Sequence, residues 1–107
     1  MATEKFNEEK TIKMIKEFYR EADNGKPEKL IACSAAAAAM FMKNGENVLD
    51  ILSEIRQYSA KQLKSGRDMI FGLKPTMTIN GYEEVADKAI AILDDLAMQA
   101  SRKGATA

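Results

Sequence analysis

The residues that could do chemistry in this chain are few, and their spacing argues against a reaction centre. The 107 residues include no histidine and one cysteine, Cys33. That removes imidazole general bases, most zinc sites and Cys-His dyads. Carboxylates occur as neighbours at Glu8-Glu9, Glu83-Glu84 and Asp94-Asp95. Adjacent residues on a helix diverge by about 100°, so these pairs cannot converge on one substrate atom and read as solvated charge. "NGENVLD" at 44–50 has the composition of a calcium loop without its ligand spacing. The glycines form no phosphate-binding loop. Nothing is placed to tune Tyr19, Tyr58 or Tyr82 as acids. The expectation is a non-enzyme with no cofactor and no metal.

Cys33 has no intrachain partner and sits among alanine and apolar residues, which suits a small buried hydrophobe in a reducing compartment. Lys plus Arg and Asp plus Glu each total 16. Without a basic excess there is no electrostatic footprint for nucleic acid. The amino-terminal "MATEKFNEEK" lacks an apolar core, so no signal peptide is expected. The longest uncharged run, "LIACSAAAAAMFM", is too short for a bilayer, which takes about 20 apolar residues. A cytoplasmic chain with no transmembrane segment is therefore expected.

The elements that must position these residues all read as helix, because no window alternates with period two. A first segment, 7–22, carries Ile12, Ile15, Tyr19 and Ala22 on one stripe, with Met14 and Phe18 beside it. Asp23-Asn24-Gly25 ends it. A second opens at Pro27 and runs to Leu73, with Asn44-Gly45 as the one weak point that kinks or divides it. Along it Phe41, Gly45, Val48, Leu52, Ile55, Ser59, Gln62, Gly66, Met69 and Leu73 alternate steps of four and three, the spacing of a heptad seam. That seam weakens at Ser59, Gln62 and Gly66. "KPTMTING" at 74–81 reads as the second break. A third helix, 80–102, starts with Asn80 as N-cap and Glu83 as its capping-box partner. Val85, Ala89, Leu93, Leu96 and Ala100 form its stripe, and Gly104 is the expected stop.

The alanine run allows three readings: helix persistence, a seam along which helices approach closely, or a small-residue face that lies flat on an apolar surface. The seven methionines either fill gaps in a small bundle or supply an adaptable contact surface. Leu30, Ile31, Met40, Phe41, Val48, Leu52, Ile55, Met69, Leu73, Val85, Leu93 and Leu96 are the candidates for contact with a surface or partner.

From Lys29 to Gly104 the chain resembles the phasins, small proteins that coat intracellular polyhydroxyalkanoate granules in bacteria. The resemblance rests on Leu30, Ala32, Ser34 and Ala35 to Ala37, then Glu54, Tyr58, Leu63 and Gly66. A joint with Thr76 and Thr78 follows, and a last helix with Glu84, Ala86, Ala89, Leu93, Leu96 and Ala100. Pro75 and Asn80-Gly81 make a firmer joint than the family pattern has.

The resulting expectation is one all-α domain over 1–107, an amphipathic hairpin or three-helix bundle with a long, coiled-coil-like central helix, self-associating. The resemblance implies a granule-surface coat that limits coalescence. The alternative is a soluble helical oligomer serving as an adaptor or complex subunit, using the same stripes permanently against partner helices.

Overall fold

The computed structural model describes residues 8–106, and these form five helices: α1 (Glu8–Asp23), α2 (Glu28–Lys43), α3 (Leu49–Arg56), α4 (Ala60–Ile79) and α5 (Glu83–Thr106). The expected all-helical class holds for them. The first residue of the expected 7–22 helix lies outside the described range. The long central helix does not form: 27–73 is divided among α2, α3 and α4, so the ten-residue seam is spread over three helices and two connections.

Three Asn-Gly pairs make three of the ends. Gly25, Gly45 and Gly81 have φ of 85°, 77° and 84°, the left-handed region that costs glycine nothing. After α2, Gly45 N–H donates to Met42 O at 3.0 Å and Glu46 N–H to Phe41 O at 2.9 Å. The same two bonds follow α1 (Gly25 to Ala22, Lys26 to Glu21) and α4 (Gly81 to Thr78, Tyr82 to Met77). This is the Schellman arrangement, which satisfies the last carbonyls of a helix and turns the chain away. Asn44-Gly45 therefore divides the chain. Asn80, expected to open the last helix, closes α4 instead, its side-chain amide donating to Thr76 O at 2.8 Å.

The second division comes from Ser59. Its hydroxyl accepts from Gln62 N–H at 3.2 Å, and Gln62 Oε1 accepts from Ser59 N–H at 3.0 Å, a complete capping box that starts α4. Pro75 does not break α4, which runs four residues past it. A proline frees the carbonyl four residues back, here that of the exposed Phe71. Gly104 does not stop α5, which continues to Thr106.

α2 packs against each of the other four helices. Within its alanine run, Ala35, Ala38 and Ala39 are buried and Ala36 and Ala37 half-buried. Helix axes approach according to the size of the side chains between them, so the alanines let neighbours gather around one short helix. One approach to α4 is very close: a Cβ placed on Gly66 would lie 2.5 Å from Ile31 Cγ2 and 3.0 Å from Ile31 Cβ. Gly66 is thus a contact that only hydrogen fits. The three positions at which the seam weakens are two capping residues and this contact.

α4 and α5 form an antiparallel hairpin with the most extensive contact in the molecule. Arg67–Asp94 at 3.4 Å and Lys74–Asp87 at 2.7 Å are each seven residues apart along both helices, which marks the register. The main core joins Ile31, Ala35 and Ala39 of α2 to Ile55, to Leu63 and Ile70 of α4, and to Val85, Leu93 and Leu96 of α5. No aromatic side chain is buried among the described residues.

Candidate apolar contact surface

Several of the groups considered for chemistry have structural partners. Glu84 pairs with Lys43 at 3.3 Å, Asp94 with Arg67, and Asp95 accepts from Gln99 at 2.9 Å. Asn47 Oδ1 accepts from Leu49 N–H at 2.9 Å, at the start of α3. No group of three or more His, Cys, Asp or Glu that could hold a metal occurs among the described residues. Burial pushes the half-buried Cys33 thiol up, away from the reactive thiolate. The Tyr19 hydroxyl donates to Glu54, and that bond holds the phenol up at about 12. Burial raises Tyr58 as well. Each shift opposes use of the group near neutral pH.

The twelve candidate contact residues fall into two sets. Leu30, Ile31, Val48, Ile55, Val85, Leu93 and Leu96 are buried, and Leu52 and Met69 are half-buried against the core. In this conformation those nine serve packing and cannot meet an outside surface together. Met40, Phe41 and Leu73 are exposed, at 45%, 42% and 51%. Periodicity could not separate the two sets because it marks the apolar side of a helix and not whether a neighbouring helix covers it.

The exposed apolar residues that sequence reasoning did not select as contacts are Met42, Leu49, Phe71, Ile79, Tyr82 and Met98, together with Ile12, Met14 and Tyr19 of the first stripe. Two regions concentrate them. One is α1, where Ile12, Met14 and Tyr19 are exposed, Ile15 and Phe18 only half-buried, and no described residue fully buried. α1 packs mainly on α2 and is tied down by Tyr19–Glu54 and by Lys29–Glu21 at 3.3 Å.

The other is the end of the bundle where α2 and α4 finish and α5 begins. Lys43–Glu84 ties the end of α2 to the start of α5, and a shallow hollow of about 280 Å³ lies there between Ala39, Met42, Val85 and Lys88. Met40, Phe41 and Met42 close α2, Leu73 and Ile79 lie on the last turns of α4, and Tyr82 opens α5. Ile79 is 84% exposed, an unusual position for an aliphatic side chain at a helix terminus. The signal for this end was present in the sequence, as Met-Phe-Met and Ile-Asn-Gly-Tyr, but only the Schellman turns bring the two stretches to one place.

No protein-family model matches the chain, and neither a curated protein nor a solved structure matches it. Among the described residues no helix is long and apolar enough to cross a membrane.

Proposed function

We propose that this chain is a phasin-like, non-catalytic structural protein that adsorbs to the surface of polyhydroxyalkanoate granules inside the cell and limits their coalescence. The observation that supports this reading is the division of its apolar side chains. The core is filled largely by alanines and medium aliphatics, while Phe41, Phe71, Leu73, Ile79 and Tyr82 are exposed.

A granule in water exposes apolar area that coalescence would reduce. A bundle that covers some of it and turns charged helix faces outward lowers that interfacial cost. At about 25 cal/mol per Å², a few hundred Å² of apolar contact contributes several kcal/mol. The helices are already ordered, so adsorption does not carry the entropy of forming them.

The test is co-sedimentation with polyhydroxybutyrate particles at low and high salt. Binding that resists salt and weakens in Phe41→Asp, with an unchanged melting temperature, supports the proposal, since that side chain is outside the buried core. A protein that stays in the supernatant as a defined oligomer with no affinity for particles contradicts it and favours the adaptor or subunit reading.

A further inference from the structure

We infer that α1 is a strap that undocks from α2 as a unit, about the 24–27 connection, while α2 to α5 stay folded. Undocking bares the side of α2 that carries Cys33. The composition of the main core supports this most directly. Its buried residues, and the half-buried ones packed on them, include no described residue of α1. The core is closed without that helix, so lifting α1 away leaves no cavity in it.

The apolar attachment of α1 is shallow. Thr11, Ile15, Phe18 and Ala22 form its half-buried line, at steps of four, three and four, and none of them is fully covered. A four-residue connection makes α1 and α2 the two arms of a hairpin. Within it Gly25, at a φ of 85°, gives the chain a pivot without a side chain.

The polar ties are few, and one of them is incomplete. The Tyr19 hydroxyl donates to Glu54 of α3. Tyr58 and Cys33 lie near enough to that hydroxyl to act on it electrostatically, which places this part of α1 beside Cys33. One Glu21 oxygen faces Lys29 at 3.3 Å, while Oε2 is buried with no partner. A carboxylate oxygen kept from water without a hydrogen bond works against the docked state. Undocking hydrates it. A 16-residue helix alone in water is marginal, so the freed strap loses its helix and its amides exchange. None of this depends on what the protein binds, so undocking stands or falls apart from the granule-coat reading.

Native-state hydrogen exchange of the full chain, at urea concentrations below unfolding, tests the strap beside labelling of Cys33 with a thiol reagent. The α1 amides should exchange at least about a hundredfold faster than those around Leu63 and Leu93, with a smaller urea dependence. Tyr19→Phe should speed α1 exchange and Cys33 labelling together, by about 2- to 10-fold for one lost hydrogen bond. Core exchange should not change. Ile70→Val, in the buried core, should do the reverse, speeding exchange in α4 and α5 and leaving α1 as it was. If α1 exchanges at the core's rate and with its urea slope, the molecule opens only as one unit and the strap is overturned. Exchange of α1 as fast as an unstructured peptide overturns it too, because nothing would then be docked. Cys33 labelling that ignores Tyr19→Phe overturns the placement of α1 beside Cys33. Opening that varies with protein concentration makes a second copy the partner of α1 and overturns the intramolecular strap.

Discussion

Two regions meet on α2 and are built by different rules. Toward α4, Ile31 sits against the bare backbone of Gly66 so closely that a methyl group would not fit. On α1, no described residue is fully buried, and a tyrosine–carboxylate bond and one ion pair tie the helix down. The difference teaches that amphipathic strength and packing are separate properties. The α1 stripe is the cleaner pattern in the sequence, yet the alanine-rich α2 makes the core. Small residues bring backbones together, and dispersion then acts over many close contacts. Large residues on a helix packed mainly against one neighbour keep an edge in water.

Substitutions on each side of that comparison should differ in size. The largest effect is expected at Leu93, fully buried between helices. Leu93→Ala should cost about 2–5 kcal/mol in urea unfolding. Gly66→Ala follows, at about 1–3 kcal/mol from overpacking. Combining it with Ile31→Ala should cost less than the sum of the two single changes, because the second removes the Cγ2 that the new methyl strikes. Strict additivity would remove the close α2–α4 contact from the account. Ser59→Ala should cost about 0.5–2 kcal/mol by undoing the capping box. A null result there would mean that the α3–α4 division is held by packing alone.

The smallest global effect is expected on α1. Ile12→Ser should leave the unfolding midpoint nearly unchanged, since surface changes stay within about 0.5 kcal/mol. Tyr19→Phe sharpens the comparison through pH. The Tyr19 phenol is pushed up to about 12 from its ordinary value near 10 by its bond to Glu54. A raised acid stabilises the fold in its neutral form, so its contribution is fully present below pH 10 and is lost as pH rises through 12. Phenolate absorbance at 295 nm should show this late-titrating tyrosine, and Tyr19→Phe should abolish it. A Tyr19 that titrates normally would mean that α1 is not pinned to α3.

Much of this fold was legible in the residues. The all-helical class, the C-terminal end of α1 to within a residue and the stripe of α5 follow from periodicity and Asn-Gly signals. The long central helix was the main error, and its cause is specific. Ser-Ala-Lys-Gln at 59–62 is a capping-box signature, but a heptad frame assigns Ser59 and Gln62 to a weak seam. Pro75 misled in the other direction, because near a helix end the carbonyl it frees can reach water. The contact surface was legible only in part. Phe41 and Leu73 were chosen for their spacing and are exposed, whereas Leu93 and Leu96 were chosen on the same grounds and are buried. Sequence pattern finds the apolar side of a helix. It does not say whether another helix already covers it.

The central claim is that a sealed α2–α4–α5 core persists while the side chains left outside it make the contact. Amide hydrogen exchange of the full chain, free and bound to polyhydroxybutyrate particles, tests this most directly. The account predicts slow exchange in α4 and α5 in both states, with new protection on binding confined to segments outside that core. Loss of protection around Leu63, Ile70 and Leu93 on binding would contradict it, since the core itself would then be opening to spread over the surface.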